Sequence, residues 1–501
     1  MTPTRRPFPH WILASGLLVA LGFLPTVTAP FDFADDGDLV YPAPAGSNYV
    51  ARWWDRVAAN VDHLGPFRPT LWAHWEVQAN TLNANPVAWR AVRLLWCGLA
   101  AAAFLWLLWE LGVPPPAALL ACAAAFWNPY RNEVWVSLTL AEGVAMPYLF
   151  VALAAARRAG GRKLCGWDAV AVGSFLVALG CKNTFAAVAP ALLVLRRPAR
   201  AVAGVYLAPL LLPAAHFVYF KRNWHPGQYV TPGPSLGQLG RELNWLKGAA
   251  GLDFLGAGVA LSLFAVWRER RGPSRLVATD GLDARGLVWT ALALIAGGLA
   301  AYLPLDIMAA RYTIPAVWGC DLLLALLLAR LLALPDRWPR RTALVALGIG
   351  LAVLAVANLG RQERVAARNR LLWHAVHHLE ALPPNTRVEW VSDGLGAEEG
   401  IHAAWHLRHR GRPDIAIGLV DAADQPLERV ELPPLAGPPT ARVTAGPPRP
   451  GWRPAAEFVV GYQLGRKSYT LRVDEPAPAP TLLIGPEADA ALRAALRGEG
   501  K

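Results

Sequence analysis

Charge is scarce in this sequence. Asp, Glu, Lys and Arg make up only 17% of its 501 residues, and 54% are hydrophobic. A soluble chain of this length would divide into several domains, each with a charged surface. Here long stretches carry almost no charge, and Arg clusters fill the gaps between them. Lysine is nearly missing, with only Lys163, Lys182, Lys221, Lys247, Lys467 and Lys501. The net charge of +12 is therefore mostly arginine beside apolar runs. That placement marks cytoplasmic loops and not a nucleic-acid face, so no nucleic-acid partner is expected. Cysteine is limited to Cys97, Cys122, Cys165, Cys181 and Cys320, with no CxxC pair, which excludes a disulfide framework or a cysteine zinc site. No Walker A sequence and no GxSxG elbow occurs. Gly394-x-Gly396-x-x-x-Gly400 has the wrong spacing for a dinucleotide fingerprint.

What the chain has is apolar runs. They are continuous, not alternating, so helices are predicted to cross the membrane and a barrel is not. The fold class read from them is a polytopic α-helical membrane protein with about 11 transmembrane helices. Spans are predicted over 11–29, 91–111, 115–128, 135–156, 168–181, 184–195, 201–220, 248–267, 286–304, 313–334 and 342–358. Arg5 and Arg6 precede the first, which we read as an uncleaved signal-anchor although Val27-Thr28-Ala29 resembles a cleavage site. Basic residues recur at every second loop, including Arg157, Arg158, Arg162, Lys163, Arg196, Arg197 and Arg200. This bias predicts an integral cytoplasmic-membrane protein, multi-pass, with the N-terminus cytoplasmic. The odd span count then puts the tail outside.

Two domains are expected, a transmembrane domain over 1–358 and a soluble extracytoplasmic α/β domain over 359–501. The outer loop 30–90 carries helical apolar spacing over 48–64 and 71–83, rich in Trp, as in interfacial helices. In the tail, a helix over 361–382 leads to strand 387–391. A helix ending near His409 and strand 415–420 complete a strand–helix–strand unit. Pro-rich connectors follow over 433–454, then strands at 457–462 and 469–473. A last strand and a charged helix end the chain.

The candidate site begins with four carboxylates just after the first span, Asp32, Asp35, Asp36 and Asp38. Close carboxylates raise one another's pKa or share a cation. Either outcome suits a general base or hard-oxygen coordination of Mg²⁺ or Mn²⁺. Other polar groups fall at the same predicted membrane face. Arg68 stands between Pro66 and Pro69 and has the geometry to clamp a phosphate. Glu133, Glu142, Lys182, Arg311 and Tyr312 sit at or near outer span ends, where a charge is costly unless it meets a cavity or partner. Glu142 is the clearest charge inside a span. Lys221, Arg222 and His225 flank Trp224 after span seven and offer either phosphate contacts or an interfacial anchor. The tail holds His374, His377, His378, His402, His406 and His409. Their helical pairs could hold zinc, but no HExxH glutamate accompanies them, so no metal is expected there.

This arrangement resembles the GT-C superfamily of integral membrane glycosyltransferases. The resemblance rests on Asp35-Asp36 after span one, interfacial helices in that loop, Lys182 after span five, Arg311-Tyr312 before span ten and the outer α/β tail. It implies transfer of a sugar from a polyprenyl-phosphate carrier to a lipid, glycan or protein acceptor at the outer face. It makes Asp35 or Asp36 the catalytic carboxylate, as base or metal ligand, and gives Lys182 and Arg311 contacts to the carrier phosphate. Asn183 departs from the Lys-Glu that the family often shows. The partners implied are membrane lipids and the polyprenyl-phosphate-sugar donor. The alternatives are a lipid or polysaccharide transporter, which would need charges in several spans and repeated halves, and a non-enzymatic protein that presents its tail.

Overall fold

The computed structural model describes residues 9–476 except 34–35, 37–38, 40–47, 63–66, 161–162, 198–199, 224–235, 272–280, 303–309, 336, 393–395, 428–431, 433, 447–451 and 463–466. It divides into two compact units. The first comprises Met1–Val27 and Gly46–Gln362, the second Thr28–Ala45 and Glu363–Lys501. The expected domain boundary at 358/359 compares with a division between Gln362 and Glu363. The segment carrying the acidic loop clusters with the second unit.

The first unit is helical. In chain order its helices are α1 (Trp11–Leu21), α2 (Tyr49–Asp62), α3 (Pro69–Leu82), α4 (Pro86–Glu110), α5 (Pro115–Phe126), α6 (Glu133–Val136), α7 (Ala141–Ala159), α8 (Gly166–Cys181) and α9 (Ala189–Arg196). There follow α10 (Arg200–Leu207), α11 (Leu211–Asn223), α12 (Leu236–Ala249), α13 (Leu252–Arg271), α14 (Ala284–Tyr302) and α15 (Ile314–Leu332), then the start of α16 (Arg337–Glu380). A helix underlies each expected span, but length is unevenly distributed. Among the described residues five helical stretches are long and apolar enough to cross a membrane, or six if the bent pair α12–α13 counts as one. The helices at 11–21, 115–126, 166–181 and 183–196 are shorter apolar pieces. Proline explains several starts: Pro69, Pro86 and Pro115 each open a helix, where the missing N–H costs nothing. Asn85 caps α4 by accepting from the Ala88 N–H.

The outward apolar surface is what lipid would cover. Leu17, Leu18, Leu211, Phe217, Trp289, Val345 and Ile349 are all exposed in the bare protein. Inside, small residues let helices close up. A Cβ on Gly16 would lie 2.6 Å from the Gly98 carbonyl, so α1 packs backbone-to-backbone on α4. The α12–α13 pair bends by 75° at Gly251, whose φ of +75° a side chain would resist. The Ala249 carbonyl left over at the bend accepts from Asn128 Nδ2 at 2.8 Å and Arg131 Nε at 2.6 Å. The two helices expected within loop 30–90 are present as α2 and α3. Glu76 on α3 joins Arg52 at 2.8 Å and Arg56 at 3.1 Å on α2. Arginines of the predicted inner loops find acids: Arg157 and Arg197 meet Asp283, Arg158 meets Glu110 and Arg196 meets Asp168.

The second unit is α/β. Its sheet has the order β2 (Ala416–Val420), β1 (Arg387–Val391), β3 (Ala441–Thr444), β5 (Lys467–Pro476), β4 (Trp452–Tyr462). β1 pairs parallel with β2 and β3, and β5 pairs antiparallel with β3 and β4. α17 (Ala397–His409) is the crossover between β1 and β2, as the strand–helix–strand reading requires. Two expectations change. The span 342–358 and the helix 361–382 are one helix, α16, because no proline separates them and Gly360 alone does not end it. The stretch 433–454 is not all connector: it holds β3, whose four residues are all buried at the centre of the sheet. Flanking prolines hid a strand that short. The final strand and helix expected after 476 lie outside the described residues. The core joins Leu372, Val376 and Leu379 of α16, Trp390 of β1, Ile401 and Leu407 of α17 and Val443 of β3. Phe33 also belongs to it and is 1% exposed.

Candidate active site

The first unit brings together five of the polar residues singled out in the sequence. Glu142 opens α7, where the helix N-terminus favours a carboxylate. Its side chain pairs with Lys182, which ends α8, and both are buried. Glu133 opens α6 and pairs with Arg311 in the turn before α15. Tyr312 links the two pairs. Its ring centroid lies 4.9 Å from Lys182 Nζ and 5.2 Å from Arg311 Cζ, so two cations share one aromatic ring. The pairs differ in solvent access. Glu142 is 2% exposed and Lys182 6%, whereas the Arg311 and Glu133 side chains are 29% and 32% exposed. One cation is thus desolvated and the other opens to water, as a site for a charged group entering from one side requires.

The supports of this cluster lie outside the sequence reading. Arg90 and Arg93 on α4 are both buried. Arg90 Nη1 donates to the Val136 carbonyl at 2.7 Å, and Arg93 donates to the Leu138 and Leu140 carbonyls. They fix the irregular segment that carries the chain from Glu133 to Glu142. Gly143 is forced by this clamp, since a Cβ there would lie 2.0 Å from Arg93 Nη1. Asp321, in the middle of α15, receives two hydrogen bonds from Arg131, at 2.6 and 2.9 Å. It is a second buried carboxylate inside a predicted span, so Glu142 is not alone there. A lone Asp inside the run Val317–Leu332 was the available signal.

Arg68 stands at the N-cap position of α3 without a side-chain capping hydrogen bond, in the segment that meets the Lys182-Asn183 turn. Contact is close because α8 offers glycine: a Cβ on Gly180 would lie 2.0 Å from Thr70 Oγ1. Turned with its oxygen toward His216 Nδ1 at 3.1 Å, the Asn183 amide donates to the Phe67 carbonyl at 3.1 Å. Asn183 thereby ties the start of α3 to α11. Arg222 is exposed on α11, and among the described residues no ion pair joins it to the cluster. Nothing of the Lys221 side chain or of His225 lies within the described residues.

In the second unit Asp36 is fully buried. Its Oδ2 accepts from the Asp32 N–H at 2.8 Å, while its own N–H donates to the Asp32 carbonyl at 2.9 Å. Asp36 therefore holds a tight turn, between Phe33 in the core and Leu39. Asp35 and Asp38 lie outside the described residues. An apolar cavity of about 720 Å³ lies in the first unit between α13, α14 and α15, lined by Leu255, Val259, Val288, Leu324 and Leu327, with Asp321 in its wall.

No family model matches this sequence, and no curated protein matches it. The fold is similar to the crystal structure of ArnT from Cupriavidus metallidurans bound to undecaprenyl phosphate. The two share 14% identity and a TM-score of 0.50, over 94% of this chain and 99% of that one. At that identity the likeness is one of fold. The chain is an integral membrane protein, mostly helical, with an ArnT-like fold.

Proposed function

We propose that this protein is a membrane glycosyltransferase that moves a sugar from a polyprenyl-phosphate carrier to a lipid, glycan or protein acceptor at the outer face of the membrane. The observation that carries this reading is the convergence of Lys182 and Arg311 on Tyr312, each cation already facing a carboxylate. An anionic phosphate is the ligand such a pair of cations takes up, with Glu133 and Glu142 holding them in place before it arrives. The fold likeness to a protein crystallised with undecaprenyl phosphate agrees. So does the apolar cavity, which has the volume and lining for part of a prenyl tail.

In this mechanism a carboxylate of the acidic loop takes a proton from the acceptor hydroxyl, which attacks the anomeric carbon. The carrier phosphate leaves, and Lys182 and Arg311 neutralise its growing charge. Asp35 and Asp36 are the candidates for the base. Carboxylate oxygens are also the donors that Mg²⁺ or Mn²⁺ prefers, and such an ion, held there, would add charge neutralisation at the leaving oxygen. Asp36 already spends one oxygen on the turn, so Asp35→Asn is the cleaner test of the base.

The decisive measurement is release of labelled sugar from a polyprenyl-phosphate carrier. Lys182→Ala and Arg311→Ala are each expected to lower the rate by about 10²-fold or more. Wild-type rates in both variants would sink the assignment.

A further inference from the structure

We propose that His377, Glu380 and His406 in the second unit form a binding site for a transition-metal dication of the zinc class. Their ligand atoms all lie within 4.8 Å of one another. His377 and Glu380 stand one turn apart on α16, so they share a face. His406 comes from α17 across the core. Its Nε2 is 2.6 Å from Glu380 Oε1, and His377 Nε2 is 3.9 Å from the same oxygen. Tetrahedral ligands of zinc stand roughly 3.3 Å apart, given metal–ligand bonds of about 2.0–2.1 Å. One of these separations is shorter than that and the other longer, so small side-chain rotations satisfy both.

The surroundings prepare the ligands. The Trp373 carbonyl, 2.9 Å from His377 Nδ1, can only accept, so Nδ1 carries the proton and Nε2 is left with its lone pair. His406 Nε2 donates its proton to Glu380, and that proton is the one a metal replaces. Arg410 approaches the other Glu380 oxygen, Oε2, at 3.6 Å and leaves Oε1 facing the imidazoles. His406 is buried, while the His377 side chain is 38% exposed and provides the way in. Phe33 and Trp373 wall the inner side, with ring centroids 5.8 and 5.2 Å from His406. Two imidazoles and one carboxylate are a borderline donor set, which selects zinc-like ions over Mg²⁺. Three protein ligands leave a fourth position to water. The proposal departs from the expectation that the tail histidines bind no metal: Glu380 supplies the acid that the sequence lacked in HExxH form. Among the described residues the ligand atoms that converge are those of His377, Glu380 and His406, and His402 is not one of them.

The test uses the full-length protein in detergent, stripped with a chelator and dialysed against Zn²⁺ or Co²⁺. Bound zinc is counted by elemental analysis, and Co²⁺ is read by its visible absorption. The wild type is expected to hold one equivalent more zinc than His377→Gln and to show a low-symmetry Co²⁺ band that this variant lacks. Glu380→Gln is expected to weaken binding by at least about tenfold, and His409→Gln to leave it unchanged. Equal zinc content in wild type and His377→Gln overturns the proposal. Should His377→Gln alter the fold, the comparison of Glu380→Gln with His409→Gln decides: equal affinity in those two overturns it as well.

Discussion

At the scale of single residues, the second unit hides one ionisable group whose environment opposes its charge. Asp474 on β5 is fully buried, and its carboxylate oxygens accept no hydrogen bond among the described residues. Burial raises its pKa above the ordinary 3.8, against the pull of Arg472 and Arg442. The folded state thus holds this proton more tightly than the unfolded chain does. The stabilisation is complete below the unfolded value and is lost as pH rises through the folded one. Asp474→Asn is therefore expected to be more stable than wild type at pH 7, with the gap closing as pH is lowered toward about 4. Thermal unfolding at several pH values, read on the second unit, checks this. A variant less stable at every pH would contradict it. In the first unit the buried carboxylate of Asp321 differs in having a partner: a fork of two donors from Arg131 meets it.

At the scale of elements, close approach depends on positions with no side chain. The Gly180–Thr70 contact seats α3 on α8 immediately before Lys182. Gly180→Ala is expected to cost about 1–3 kcal/mol by overpacking, because Thr70 Oγ1 occupies the space of the new methyl. Thr70→Ala, which removes that oxygen, should restore part of the loss. Melting temperatures of the two single variants and the double variant in one detergent measure the coupling. Additive losses would show that the two residues do not meet. Secondary structure at this scale was largely legible. Proline starts, continuous apolar runs and the Trp-rich spacing of 48–64 and 71–83 are local signals, and the helices appear where those signals lie. The missed strand β3 had no such signal. Its four residues are strand only because β1 and β5 flank them.

At the scale of the whole molecule, the second unit is not a contiguous tail. Phe31 and Phe33 are each 1% exposed, and Phe33 sits in the core of α16, α17 and the sheet. Asn369 Nδ2 donates to the Pro30 carbonyl at 3.1 Å, and His402 Nδ1 binds the Phe33 carbonyl. A fragment of residues 363–501 alone is expected to lack the cooperative unfolding transition expected of the same fragment with residues 28–45 attached. Removing one buried Phe side chain costs about 3–5 kcal/mol, a large part of the stability of a domain this size. Chemical denaturation of the two fragments, followed by circular dichroism, decides. A sharp transition in the shorter one would refute it.

The sequence by itself determined the class of molecule. Hydropathy, arginine placement and continuous apolar runs act along the chain, so they are readable from it. The same holds for Glu142, Lys182, Arg311 and Tyr312 as a shortlist, because a charge at a span end stands out against its neighbours. Only the tertiary structure decided which partners they have. It paired Glu142 with Lys182 across 40 residues and Glu133 with Arg311 across 178. It set Arg90 and Arg93 behind them, brought His406 to Glu380, and drew the acidic loop into the second unit. Those outcomes depend on which helix faces pack together. Packing is a property of the surfaces in space, and spacing along the chain does not encode it.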